Sequence, residues 1–298
     1  MLRDKSAYLV MVTVCVLLLS ACSPVKTDTT GAVGNGPPIE MSTAVPELAE
    51  LVPEEYADRG YLNVVTTVGM APLNIPDSAT GQIEGFNPDL ARHIAAVLDL
   101  EVKLSGASID QIIPGMQAGR YDITFSNMAI NDERLEVLDF VEYYFSGSAL
   151  GVLEGNPLGL DADNLCGRAV GVSNGSYQMT KVLPKVSDEC LQKAQSAISI
   201  QAYPDQQKAA LALLSGRIDA VCMDGPVLAY ATTQEPRLEK AANMTNGSHI
   251  GIGVNKHDRL VDAVQKALKY LIDTGVYEQL LERYGINDLG IEKAEVYS

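Results

Sequence analysis

At 298 residues the chain is long enough for one large domain or two medium ones with real cores. It is 47% hydrophobic and 20% charged, and its formal net charge is −16. Such an acidic surface repels nucleic-acid phosphates, and no basic patch interrupts it, so nucleic acid is excluded as a partner.

The first element is a targeting segment. Arg3 and Lys5 precede an apolar run from Ala7 to Leu19, which leads into Leu19-Ser20-Ala21-Cys22. The run is shorter than the ~20 apolar residues of a membrane-spanning helix, so residues 1–21 read as a signal peptide. The last four residues resemble a bacterial lipobox. That resemblance implies that Cys22 is lipidated on its sulfur and becomes the mature N-terminus. Acyl chains such as palmitate would then hold the protein on the extracytoplasmic face of the cell membrane. The alternative is an ordinary signal peptide cut near Ala21. From Ser23 to Pro53 the chain is rich in Thr, Gly, Pro, Ser and Ala, and residues 22–56 are expected to form a lipidated N-terminus and flexible tether.

The folded part begins with "YLNVVTTVG" from Tyr61, a strand running into a turn. "NPDLARHIAAVLDL" follows as a helix, with Asn87 at the N-cap, Pro88 at the first helical position, and Leu90, Ile94, Val97 and Leu98 on one face. "EVKL" is a short strand. "IDQIIPGMQAG" places Ile109, Ile112, Ile113 and Met116 at helical spacing and stops at Gly119. Alternating strands and helices point to α/β units.

In "FSNMAINDERLEVLDF", a strand gives way to Asn131, Asp132 and Glu133, the N-cap and first-turn acids of a helix expected over Leu135 and Leu138. Arg134 is out of place there. A cation in a first helical turn faces the positive end of the helix dipole, an unfavourable contribution of roughly 0.3–1 kcal/mol unless an anion offsets it. Surface pairs with Glu133 or Glu136 would be one such anion, and a ligand would be another.

One unit then recurs. "MQAGRYDITFSN" and "LLSGRIDAVCMD" share a helix end, Gly-Arg, an Asp and an apolar strand closing on a polar residue, Asn127 in one and Asp224 in the other. Two α/β lobes follow, each with a polar group at the carboxyl end of a strand, where open α/β sheets bind ligands. Asp224 is also placed as a helix N-cap ahead of Pro226. The remaining chain, "RLVDAVQKALKYLIDTGVYEQLLERYG", is helical with an apolar stripe and a Gly-containing break. Because the chain is exported, Cys166 and Cys190 are expected to form a disulfide within the second lobe, and Cys222 in "IDAVCMD" to be a buried thiol. No metal motif occurs and no cofactor is expected.

Taken together, "IEGFNPDLARHIAAVL", "IIPGMQAGRYDITFSNMAINDER", "DFVEYYFSG", "VGVSNGS", "GRIDAVCMDGPV" and "GIGVNKHDRLVDAVQKAL" resemble the family 3 extracellular solute-binding proteins, the polar amino-acid receptors of ABC importers. The resemblance implies an α/β periplasmic binding protein-like type II fold. Lobe 1 would comprise residues 57–148 and 250–298 and lobe 2 residues 149–249, joined by two crossover strands that act as a hinge. It also implies a monomer that delivers a small zwitterion to permease and ATPase subunits and performs no catalysis. Arg134 matches the arginine that binds a ligand α-carboxylate, Asp224 the acid that takes the α-ammonium, and Asn127 its first-lobe counterpart. Gly175, Ser176 and Tyr177 match a helix start whose N–H groups complete the carboxylate cradle, and Ser173 a position that varies with specificity.

Several positions depart from the family pattern. Thr67 stands in place of an Asp, Met70 and Ile109 in place of aromatic rings, Leu73 in place of a frequent Phe, and Ala129 in place of a hydroxyl residue. Without an acid at position 67 the pocket is expected to disfavour arginine, lysine and histidine and to take a polar or neutral amino acid. A sensing lipoprotein without a transporter is an alternative. So is a serine hydrolase, because "GVSNG" fits G-x-S-x-G and Ser173, Asp224 and His249 follow in hydrolase order. A catalytic relative such as a dehydratase would need an acid or base in the cleft, where Met70 and Ile109 offer none.

Overall fold

The computed structural model describes residues 39–77 and 80–298; Cys22 and the signal peptide lie outside them. In chain order the strands are β1 (Tyr61–Thr66), β2 (Ile75–Pro76), β3 (Ile83–Glu84), β4 (Glu101–Gly106), β5 (Ile123–Ala129), β6 (Leu138–Ser146), β7 (Ser148–Leu153), β8 (Ala169–Ser173), β9 (Ser199–Tyr203), β10 (Ala220–Asp224), β11 (Leu238–Asn243), β12 (Ser248–Asn255) and β13 (Val296–Tyr297). The helices are α1 (Pro46–Ala49), α2 (Glu54–Arg59), α3 (Phe86–Val97), α4 (Ile109–Gln117), α5 (Asp132–Leu135), α6 (Leu183–Gln192), α7 (Gln206–Leu214), α8 (Gly225–Gln234), α9 (Leu260–Asp273) and α10 (Val276–Arg283).

Two sheets organise the fold. The first has the order β13-β6-β12-β5-β1-β4, the second β11-β7-β10-β8-β9. In each, the neighbours β4-β1-β5 and β10-β8-β9 are parallel, as α/β crossovers require, and the remaining strands add antiparallel. Strand β5 is buried along its whole length, and its polar residues are satisfied internally, Thr124 and Ser126 by a hydroxyl–hydroxyl bond of 2.6 Å. The chain passes between the sheets twice, from β6 to β7 through Gly147 and back from β11 to β12. The two passages are tied together: the Ser148 N–H donates to Thr245 Oγ1 at 2.9 Å and the Met244 N–H to the Ser148 carbonyl at 2.7 Å.

Helix α3 covers the first sheet. It starts at Gly85, where φ is +129° and an added Cβ would lie 2.4 Å from the Leu73 carbonyl oxygen, so only glycine fits. Asn87 is therefore not the N-cap. It lies inside the helix, fully buried, and donates through Nδ2 to Asn127 Oδ1 at 2.8 Å while accepting from the Tyr143 hydroxyl at 3.0 Å.

Two further expectations are corrected. The helix after Asn131 is a single turn of four residues, because Leu138 already begins the buried strand β6. The expected tether is ordered over its described part, residues 39–56. Ile39, Val45, Leu48 and Leu51 pack on the core, Val52 and Tyr56 are buried within it, and the Val45 N–H donates to the Val97 carbonyl at 3.0 Å. The apolar residues interspersed among the small polar ones are what anchor it to α3 and α9. The expected disulfide is present, Cys166 bonded to Cys190 beside the second sheet, and Cys222 is a buried free thiol.

Candidate functional site

Between the carboxyl ends of the parallel strands of both sheets lies a cavity of about 150 Å³. Thr67, Met70, Ile109, Asn127, Ala129, Arg134, Ser173, Ser176, Tyr177 and Asp224 all line it, so ten of the eleven expected ligand-binding residues converge there. A volume this small suits one small solute rather than a drug-sized molecule of roughly 300 Å³ or more. A second groove of about 300 Å³ is walled mainly by apolar residues such as Ile75, Leu214 and Val227.

Arg134 sits at the start of the single-turn α5, where Asn131 Oδ1 accepts its backbone N–H at 3.0 Å. The side chain is buried, 8% exposed, and Nη1 donates to the Ala129 carbonyl at 2.8 Å. Glu133 is not its partner: that carboxylate pairs with Lys181 at 2.8 Å across the cleft. Among the described residues Arg134 has no ion pair within 4.0 Å, so most of its donor fork is uncommitted. A one-turn helix carries little of a macrodipole, so the sequence-based dipole conflict is smaller than expected. What needs an anion is a buried guanidinium. Burial pulls its pKa below the ordinary arginine value while Asp224 and Glu133 pull it up, and it stays charged at any physiological pH.

Asp224 ends β10 on the opposite sheet. It occupies the N-cap position of α8 but makes no capping bond. Its Oδ1 accepts from Gln178 Nε2 at 2.6 Å and its Oδ2 from Gln206 Nε2 at 2.7 Å. Burial raises its pKa above the ordinary carboxylate range, opposed by those two amides and by the Arg134 charge. Gln178 opens a five-residue π-helical turn, Gln178–Val182, of the irregular kind that recurs at functional sites. Neither glutamine carries a motif in the sequence. The available signal was position alone, since Gln206 follows the carboxyl end of a parallel strand.

The remaining expected residues divide by role. Asn127, at φ +53°, turns Oδ1 toward Asn87 and the Tyr143 hydroxyl, with Nδ2 3.7 Å from Met70 Sδ; its carboxamide serves the core first. Thr67 Oγ1 accepts from Asn74 Nδ2 at 3.2 Å and donates to Met70 Sδ at 2.9 Å, fixing the thioether in the wall. Gly175 does not line the cavity, and its N–H points at Met179 Sδ, 3.4 Å away. The Ser176 N–H is taken by the Ser173 carbonyl at 3.2 Å, so the cradle expected from residues 175–177 is partly committed to its own turn. Leu73 is fully buried in the core. No hydrogen bond joins Ser173, Asp224 and His249; His249 Nδ1 instead faces Glu142 Oε1 at 2.7 Å. Among the described residues no cluster that could hold a metal occurs.

The model of bacterial extracellular solute-binding proteins, family 3, matches residues 62–287. The arginine-binding protein ArgT of Corynebacterium glutamicum is 33% identical over 84% of this chain and 82% of its own length. The lysine/arginine/ornithine-binding periplasmic protein of Escherichia coli is 26% identical, covering 83% and 93% of the two chains. Among solved structures, an ancestral arginine-binding protein bound to arginine superposes with a TM-score of 0.70 at 30% identity, over 76% of this chain and 98% of that one.

Proposed function

The chain belongs to the family 3 bacterial extracellular solute-binding proteins, and on that premise we propose that it captures one amino acid between its two sheets, Arg134 taking the α-carboxylate and Asp224 the α-ammonium. It is an amino-acid receptor of the ABC-importer type rather than an enzyme. The observation that carries the binding mode is the pair itself: a buried guanidinium on one sheet and a carboxylate on the other face one small cavity without bonding to each other. A zwitterion satisfies both at once, and neutralising a buried charge this way removes a large desolvation cost. The lobes we assign are 57–148 with 250–298 and 149–249, hinged at Gly147 and at residues 244–247.

The sequence-based preference for a polar or neutral ligand rested on Thr67. Relatives named for arginine, lysine and ornithine favour extending the reading to basic amino acids. A thermal-shift screen of the twenty amino acids tests the assignment, because a ligand at a hundredfold excess over Kd adds about 2.7 kcal/mol to the folded state. A rise in Tm with at least one L-amino acid and none with its D-enantiomer is expected; no rise with any of them contradicts it.

We further propose that Cys22 carries the lipid and that residues 23–38 connect anchor to receptor. Membrane fractionation of Cys22→Ser is expected to move the exported protein to the soluble fraction with its amino-acid affinity unchanged. Retention on the membrane after signal cleavage contradicts the anchor.

A further inference from the structure

Thr67 leaves the first sheet without the acid that would meet a cationic side chain, but the cavity has another carboxylate, and it comes from the other sheet. Asp205 lines the cavity between Pro204 and Gln206. It caps α7, its Oδ1 accepting the Lys208 N–H at 2.7 Å, and no hydrogen bond to its Oδ2 occurs among the described residues. Across the cleft stands Gly69, two residues beyond Thr67. A Cβ at Gly69, where φ is +74°, would lie 3.1 Å from Asp205 Cγ. The carboxylate therefore reaches the strand-end loop that carries Thr67 and Met70, and the lack of a side chain at Gly69 leaves room for it.

Charge balance assigns the acid a role. A zwitterion cancels Arg134 and Asp224, and Asp205 is then the one charge on the cavity wall left without a counterion. Met70, Ile109 and Pro204 line the same cavity and can hold an aliphatic stem, as long cationic side chains require. From this juxtaposition we propose that Asp205 is the specificity-determining residue that selects an amino acid with a cationic side chain, arginine or lysine. The proposal rests on the assignment of Arg134 and Asp224 to the ligand's α-groups.

L-Citrulline, the neutral near-isostere of L-arginine, separates the two readings. Calorimetric titration of the full receptor is expected to show arginine binding at least about tenfold more tightly than citrulline, the margin that a hydrogen bond to a charged group supplies. Asp205→Asn keeps a good helix cap, so the fold is expected to persist. In that variant arginine affinity is expected to fall at least about tenfold while citrulline affinity stays within about twofold. Equal affinity of the wild type for the two ligands overturns the proposal whatever the variant does. So does an Asp205→Asn variant that weakens both equally or neither. Binding of citrulline or glutamine but not arginine likewise overturns the role of Asp205 and leaves the α-group assignment standing. Failure of every amino acid to bind the wild type overturns both.

Discussion

Asp224 is the residue whose chemistry has the clearest consequence for stability. Burial holds its carboxyl above the ordinary value of roughly 3.9 despite two amide donors and the Arg134 charge. A raised folded-state pKa means the folded protein binds the proton more tightly than the unfolded chain. The associated stability is therefore fully present below the unfolded pKa and is lost as pH rises through the folded one. At pH 7 and without ligand, keeping this carboxyl buried therefore costs stability. Asp224→Asn removes that cost, and Gln178 can turn its carboxamide to accept from the new Nδ2. The variant is expected to melt above wild type at pH 7. The difference is expected to vanish as pH approaches about 4. Calorimetric scans of unliganded protein check this, and a gap that widens on acidification contradicts it. Asp224 was legible in the sequence because it ends a repeated strand unit, and Arg134 because it is a cation in the first turn of a helix. Asp205, Gln178 and Gln206 were not, since a helix cap and two residues in helical turns carry no local mark of facing a cleft.

Helix α3 and strands β5 and β6 form the element that holds the first half of the site. Asn87 on α3, Asn127 on β5 and Tyr143 on β6 share one buried hydrogen-bonded triad, with Phe86 stacked on Tyr143 at 6.2 Å between ring centroids. Asn87→Ala removes the donor to Asn127 and the acceptor for Tyr143 and leaves a gap beneath the cleft. It is expected to cost about 2–3 kcal/mol in urea unfolding, as unsatisfied buried polar groups and a small cavity do, and a loss under about 0.5 kcal/mol contradicts the role. The helix itself was legible from Leu90, Ile94 and Val97. Its start was not, because Asn-Pro reads as a cap when the real constraint is the Leu73 carbonyl pressed against Gly85. A similar tertiary override truncated α5: Leu138, helical by spacing, is claimed by β6, which pairs with β12 from Leu138 to Ser146. Residues 39–56 were drawn into the expected tether by the Thr-, Gly- and Pro-rich stretch before them, although Ile39, Val45, Leu48, Leu51, Val52 and Tyr56 give this part its own apolar anchors to the core.

For the whole molecule, the account requires the ligand to hold the two lobes together. Among the described residues, the side-chain hydrogen bonds and ion pairs across the mouth of the cleft are Lys181 with Glu133 at 2.8 Å and Asn174 Nδ2 with Asp110 Oδ2 at 2.8 Å. Lys181 and Glu133 are largely exposed, and such pairs contribute roughly 0–1 kcal/mol, too little to fix a closed state alone. The preference for closure must come from contacts a ligand makes with both lobes together, because a ligand shifts an equilibrium only by its differential affinity for the two states. Arg134 and Asp224 supply one such contact each, in low-dielectric surroundings where an unpaired charge is costly. The most direct test is calorimetric titration of wild type, Arg134→Ala and Asp224→Ala with the amino acid that raises Tm most in the screen. Each variant is expected to stay folded and to bind at least about 100-fold more weakly, a loss of roughly 2.7 kcal/mol or more, with Arg134→Lys recovering only part because the bidentate fork is gone. Binding within about twofold of wild type by either alanine variant would contradict the bridge between the lobes.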